Sequence, residues 1–361
     1  MSRLTSTERI ALSTIAILTV IAGVANYGQW AAVPRFAVAT LALAGLAWVV
    51  SFATEQLGER FGPAVTGMMQ STLGNLPELF VVIFALQKGE LVVAQTAIVG
   101  SIFANAMLVL GLVIVVGALR APDGVMRFSH RLPRDTTTLL LVCVFIIVLL
   151  GLSLAAHDPA SHHVDVISAV GAVSLLVVYL AWVVPYLRAD KLPGAEEDAS
   201  EPEPERAGPR LSLRVTLALL LTAGVASAFV SDWFVNGLEP AIVQLKISQA
   251  FAGLVIVAIA GNAVENTAGI VLAWKGRSDL AISVVKNSVA QIAAFLFPLL
   301  VLISFLLATT LTFALAPVYI GALLVMALAM WQITGDGEAA AFEGWALVAL
   351  YVILATLTLY E

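Results

Sequence analysis

Charge is scarce in this sequence: Asp, Glu, Lys and Arg make up 12% of 361 residues, while 60% are hydrophobic. Soluble domains average about 25% charged and about 45–50% apolar residues. No single soluble core of this size buries so much apolar surface, which excludes a soluble enzyme, a disordered chain and a nucleic-acid binder. Cysteine is nearly absent. The single Cys143 rules out an intrachain disulfide and a thiolate metal cluster. Histidine is scarce too: His130, His157, His162 and His163 fall in loops, with no HExxH spacing, so zinc catalysis is not expected. Long polar stretches are missing except for 189–211, where Glu196, Glu197, Asp198, Glu201, Glu203 and Glu205 alternate with prolines. That stretch reads either as a solvated tether or as a cation-binding regulatory segment, and it carries most of the acidic excess behind the net charge of -6.

What remains is apolar sequence in long runs. A helical membrane span needs about 20 mostly apolar residues. Eleven runs qualify: 10–28, 34–56, 62–87, 90–118, 136–155, 164–187, 212–238, 249–274, 279–306, 309–332 and 341–360. Their density excludes a transmembrane β-barrel, whose strands alternate. Arg3 and Arg9 precede the first run without a convincing cleavage site, so it reads as a first membrane helix rather than a removed signal peptide. With the N-terminus inside, 14 of the Lys and Arg residues fall on the cytoplasmic side, and 3 (Arg35, Lys88 and Lys246) fall outside. The remaining Lys286 lies within a span. This bias predicts an N-in, C-out multi-pass protein of the cytoplasmic membrane.

Two segments repeat. Gly74 to Ser101 reads GNLPELFVVIFALQKGELVVAQTAIVGS, and Gly261 to Ser288 reads GNAVENTAGIVLAWKGRSDLAISVVKNS. An offset of 187 aligns them without a gap, pairing Asn75 with Asn262, Glu78 with Glu265, Lys88–Gly89 with Lys275–Gly276 and Ser101 with Ser288. The first copy starts from the inside and the second from the outside. The expected architecture is therefore an all-α membrane protein with two inverted repeats, the arrangement of secondary transporters. The divisions are an extra helix at 1–33, a five-helix repeat at 34–188, the acidic linker at 189–211 and a second five-helix repeat at 212–361.

Glu78 and Glu265 each fall about 16 residues into a span, near mid-depth. An ionised carboxylate there costs several kcal/mol or more unless paired, so a symmetric pair points to function. Asn75 and Asn262 share a helix face with them. Gly74, Pro77 and Gly261 can break the helices and expose backbone carbonyls. Ser101, Asn105, Ser288 and Gln291 add oxygens from the following spans. Carboxylates, amides and hydroxyls without thiolate or imidazole suit a hard cation such as Ca²⁺, with its six to eight oxygen ligands. Emptied of metal, the same two carboxylates would take up protons, and such competition is enough for antiport.

At these residues the sequence resembles the cation/proton exchanger family of the calcium/cation antiporter superfamily. GPAVTGMMQSTLGNLPEL from Gly62 is similar to that family's first signature, and LEPAIVQLKISQAFAGLVIVAIAGNAVEN from Leu238 to its second. The resemblance covers essentially the whole chain. It implies a Ca²⁺/H⁺ antiporter working by alternating access, with Glu78 and Glu265 as the shared ion and proton site and no cofactor. It also implies an oligomer, often a trimer, in the bilayer. Three departures stand out: Gln70 where the family has Asn, Asn266 where a His commonly follows the second Glu, and Lys286–Asn287 where a Gly precedes the Ser.

Other features leave alternatives open. Lys286 is either an internal cation that pairs with Glu265 or Glu239, or a residue that snorkels or pairs with Asp279. Glu55 and Glu239, at span ends, are either cation-attracting carboxylates at the mouths or ordinary solvated helix ends. Trp30, Trp233, Trp331 and Trp345 fit an interfacial belt. Coupling to Na⁺ or K⁺ instead of H⁺ is the alternative transport reading, suggested by GSIFAN from Gly100 and by the Pro in GNLPEL. A scaffold or channel without coupled transport is the third.

Overall fold

The computed structural model describes residues 4–58, 60, 72–129, 131–189 and 210–361. In lipid a chain must satisfy its backbone hydrogen bonds internally, and this one does so almost wholly as helices. They are α1 Ser6–Tyr27, α2 Ala32–Gly58, α3 Leu76–Gln87, α4 Leu91–Arg120, α5 Arg131–Ala156 and α6 Val164–Ala189 in the first half. The second half holds α7 Leu213–Leu245, α8 Gln249–Gly261, α9 Ala263–Trp274, α10 Ser278–Ser304, α11 Pro317–Thr334 and α12 Ala341–Leu359. Among the described residues nine helices are long and apolar enough to cross a bilayer; α8 and α9, bent by 57°, make a tenth if they are one crossing. The expected span 62–87 is described only from Thr72, chiefly as the 12-residue α3. Most of the acidic tether expected at 189–211 lies outside the described residues.

α4 and α10 run through the middle of the bundle and are its most buried long helices. The rim helices turn apolar side chains such as Val170, Leu221 and Ile353 outward, as lipid-facing helices should. α1 starts with a capping box: Thr5 Oγ1 accepts from Glu8 N (3.2 Å), and Glu8 Oε2 accepts from Thr5 N (2.7 Å).

Two boundaries differ from expectation. The span expected to end at 238 continues as α7 to Leu245, straight through Pro240. Pro240 donates no hydrogen bond to the carbonyl four residues back, that of Asn236. Arg35 Nη2 donates to that oxygen instead (3.4 Å), which relieves the break. The span expected from 309 starts only at Pro317, which stands at the first helical position after an extended Ala316. The preceding stretch is irregular yet buried at Leu311 and Phe313, because side chains replace the missing helix bonds. Leu311 N donates to Ser304 Oγ (2.8 Å), Phe313 N to Ser168 Oγ (3.2 Å), and Gln95 Nε2 to Ala314 O (3.0 Å).

Contacts between helix ends tie the described segments together at the two ends of the bundle. Arg210 pairs with Glu8 (2.8 Å), and Arg60 Nη2 donates to Leu211 O (2.6 Å). Strand β1, Val125–Arg127, pairs antiparallel with β2, Glu338–Ala340, reinforced by Arg127–Glu338. Ser129 N donates to Asp279 Oδ1. The distribution of Lys and Arg leads one to expect all these segments on one side of the membrane. On the opposite side Lys88 bonds Asp232 (2.8 Å) and Asn236 (2.7 Å), and Gln249 Nε2 donates to Glu90 Oε2 (2.9 Å).

The two similar segments also fold alike. α3 and α9 have matching bounds at the offset of 187, from Leu76 and Ala263 to Gln87 and Trp274. Each is followed by a glycine at positive φ, Gly89 (82°) and Gly276 (77°), a conformation that disfavours any Cβ and makes the hairpin turn tight. The next helices start at Leu91 and Ser278. Each then carries a π-helical turn, Ala104–Val109 in α4 and Ile292–Leu296 in α10. Such turns are rare and recur at functional sites.

Candidate ion-binding site

The site forms where both similar segments leave the helical path. Asn75 and Asn262 are single non-helical residues at the starts of α3 and α9. Pro77, second in α3, supplies no amide hydrogen there. Glu78 follows in the first turn, 2% exposed, where the positive end of the helix dipole favours a carboxylate. Glu265 holds the same third position in α9; its side chain lies outside the described residues, as does Gln70 altogether. The two breaks meet: a Cβ placed on Gly261 would stand 3.8 Å from Glu78 Cβ.

A buried hydrogen-bond cluster joins α4, α9 and α10 at this level. Asn262 Nδ2 donates to Ser101 Oγ (2.9 Å) and to Ala258 O (3.0 Å). Asn105 Nδ2 donates to Ser288 Oγ (3.1 Å) and, more weakly, to Asn262 Oδ1 (3.4 Å). Ser101 and Ser288 are fully buried, and Asn75, Asn105 and Gln291 are buried as well. The structure therefore brings Asn262, Ser101, Asn105 and Ser288 into one cluster, with Glu78 against the adjoining Gly261. Gln291 lies at the start of the π-helical turn of α10. Among the described residues no three His, Cys, Asp or Glu side chains come together. The donors gathered here are oxygens and amides around one described carboxylate.

Sequence reasoning missed the contribution of α7. Ser231 Oγ donates to Pro77 O (3.4 Å), at the broken start of α3, and Ser227 lies one turn away, fully buried. Two serines four apart in an apolar run are the available signal, a weak one, because serine is common in membrane helices.

Other sequence-expected residues stand apart. Glu55 and Glu239 are exposed. Glu239 lies close enough to Glu90 that burial first, and then the Glu239 charge, push the Glu90 carboxyl above its ordinary value. Lys286 is 1% exposed and donates to Thr137 Oγ1 (3.1 Å) and Thr334 Oγ1 (2.6 Å), tying α10 to α5 and α11. It is about 200° around α10 from Ser288, on the far side of the helix from the cluster. Asp279, the partner one sequence reading gave it, accepts instead from Ser129 N. Trp233 is half-buried beneath α1 against Gly23 and Tyr27, whereas Trp30, Trp331 and Trp345 are exposed as an interfacial belt requires.

The profile of the family described as sodium/calcium exchanger protein matches residues 32–185 and 215–360. A Ca²⁺/H⁺ antiporter of Synechocystis sp. is 32% identical over 346 residues, covering 92% of this chain and 92% of that protein. A vacuolar calcium ion transporter of Schizosaccharomyces pombe is 32% identical over 345 residues, covering 92% of this chain and 80% of its own. Among solved structures, the Ca²⁺/H⁺ antiporter protein YfkE superposes with a TM-score of 0.79 at 25% identity, covering 98% of this chain and 100% of that one.

Proposed function

The chain belongs to the sodium/calcium exchanger protein family, among its cation/proton exchangers, and from that premise we propose that it exchanges Ca²⁺ for H⁺ across the cytoplasmic membrane. The observation that carries this reading is the buried Glu78 at a helix break, facing Gly261 of the matching break and bordered by neutral oxygens. One Ca²⁺ balances the charges of Glu78 and Glu265. When the ion leaves, protons neutralise the same carboxylates, and the protein crosses between inward- and outward-open forms only when one cargo or the other is bound. That rule forbids slippage, because an empty dianionic site is too costly to occlude from water. The resident protein contributes oxygens, not chemistry: it is a secondary transporter, with Asn75, Asn262, Ser101, Asn105, Ser288 and Gln291 supporting the carboxylates.

The orientation proposed is N-terminus in, C-terminus out, supported by the distribution of Lys and Arg and by the end-to-end contacts. The two halves, 34–188 and 212–361, act as inverted five-helix units about the site, joined by the 189–211 tether. The experiment is uptake of radiolabelled Ca²⁺ into acid-loaded inverted vesicles. Proton-driven uptake by the wild type, abolished in Glu78→Gln and in Glu265→Gln, is expected. Uptake that follows Na⁺ and ignores the pH gradient would overturn the proton coupling.

A further inference from the structure

The polar ties between α3 and α7 lie toward one end of the pair. Lys88, just past α3, holds Asp232 and Asn236, and Ser231 Oγ donates to Pro77 O. Nearer the start of α7 a groove of about 650 Å³ opens between the two helices. Among the described residues its walls are wholly apolar: Leu76 and Phe80 on α3, and one face of α7 from Leu217 to Phe229. Leu221, Val225 and Phe229 in that wall are half or more exposed. A Cβ on Gly224, in the floor, would meet no other atom within 4 Å.

The dimensions narrow the occupant. From Leu217 to Phe229 the groove runs about 18 Å along the helix, close to the depth of one hydrocarbon leaflet, about 15 Å. Spread over that length, its cross-section is about 36 Å². A helix of a second copy, about 10–12 Å in diameter, does not fit such a slot, whereas a hydrocarbon chain does. Charge narrows it further. Arg214 stands exposed in the first turn of α7, on the same helix face as Leu221 and Val225, at the mouth of the groove. The neighbouring arginines are engaged: Arg210 pairs with Glu8 (2.8 Å), and Arg60 Nη2 donates to Leu211 O (2.6 Å). Arg214 has no carboxylate partner among the described residues. A guanidinium offers paired donors to a phosphate, and a cation at the end of a membrane helix attracts anionic headgroups.

We propose that the α3–α7 groove holds one acyl chain of an anionic phospholipid, drawn from the leaflet at the start of α7, with its phosphate on Arg214. In the orientation proposed above that leaflet is the cytoplasmic one. The tail lies against Leu76 and Phe80, two residues to either side of Glu78 and on the opposite face of α3 from it. The lipid therefore braces the back of the helix that carries the buried carboxylate, without touching the ion.

The test is native mass spectrometry of the purified full chain in detergent, titrated with phosphatidylglycerol or phosphatidylcholine. The wild type should retain one phosphatidylglycerol about tenfold more tightly than phosphatidylcholine, the order expected for one bond between charged groups. Arg214→Gln should erase that preference, and Arg214→Lys should keep much of it. Gly224→Leu fills the floor and should remove this one lipid whichever headgroup it carries, while Val170→Leu, on the outward face of α6, should remove none. The proposal is overturned if the wild type retains both lipids equally or detergent only, or if folded Gly224→Leu still retains the lipid. It is also overturned if Gly224→Leu sheds a second copy of the chain rather than a lipid, which would make the groove a contact between copies. Should Gly224→Leu fail to fold, Arg214→Gln decides alone. Lipid retention does not depend on transport: a wild type that holds the lipid yet moves no Ca²⁺ in proteoliposomes refutes the exchange reading and leaves this one standing.

Discussion

Removing the Asn262–Ser101 link tests whether the buried cluster holds the helix break in place. Ser101→Ala deletes one hydrogen bond of 2.9 Å between α4 and α9. Asn262→Ala deletes that bond, a second to Ala258 O at 3.0 Å and a weaker one from Asn105 at 3.4 Å. Hydrogen bonds between membrane helices contribute about 0.6 kcal/mol on average and rarely more than about 2. Ser101→Ala should therefore cost about 1 kcal/mol. Asn262→Ala should cost about 2–3 kcal/mol, because it also leaves Ala258 O and the Asn105 amide short of a partner in a dry interior. Both groups are almost fully buried, so solvent cannot repair the loss. In the double variant the shared bond is lost only once, which predicts a coupling of about 1 kcal/mol. The assay is equilibrium unfolding in mixed detergent micelles, followed by tryptophan fluorescence. Single effects that add to within about 0.3 kcal/mol would refute the claim that these side chains act on each other.

Three further outcomes follow from the geometry. Gly276→Ala places a Cβ at φ 77° in the α9–α10 turn and should lower stability by about 1–2 kcal/mol, as should Gly89→Ala in the matching turn, both read from unfolding midpoints. Thr334→Val takes from the buried Lys286 an acceptor at 2.6 Å and should cost about 1.5–3 kcal/mol. Lys286→Met, which fills the same space without charge, should cost less; a larger loss for Met than for Thr334→Val would contradict this. Glu90 binds its proton more tightly in the folded chain than its ordinary 4.5, because of burial and the neighbouring Glu239. The folded state then holds more protons than the unfolded one, so this group's contribution declines as pH rises from about 4.5 through the raised value. Glu90→Gln should therefore gain stability relative to wild type at pH 7 and lose that gain at pH 4, as thermal unfolding at the two pH values would show.

Much of this was legible in the sequence, and the limits have physical causes. The offset of 187 foretold matching helices, because Gly-Asn breaks and Lys-Gly turns are backbone requirements that a sequence spells out. The sequence places Ser101, Asn105, Asn262 and Ser288 inside apolar runs as oxygen donors, and the structure joins them by hydrogen bonds, because polar residues inside a membrane must find partners. The α7 boundary was missed because Arg35, 201 residues away, takes the carbonyl that Pro240 leaves open. The late start of α11 was missed because hydropathy does not distinguish a helix from buried irregular chain whose amides are served by Ser304 and Ser168. The partners of Lys286, Thr137 and Thr334, lie 149 and 48 residues away, and no local pattern links them. Ser227 and Ser231 escaped for the same reason.

The central claim is that Ca²⁺ and protons compete for the carboxylates of Glu78 and Glu265. Ca²⁺ affinity of the purified protein, measured by calorimetry from mildly acidic to mildly alkaline pH, tests it most directly. If one ion displaces the protons of two carboxylates, log Kd falls by up to about two per pH unit over the range in which they titrate. Glu78→Gln should cut that slope to about one and weaken binding. A Kd that ignores pH in the wild type, or a slope that survives in the Glu78→Gln, Glu265→Gln double variant, would contradict the account.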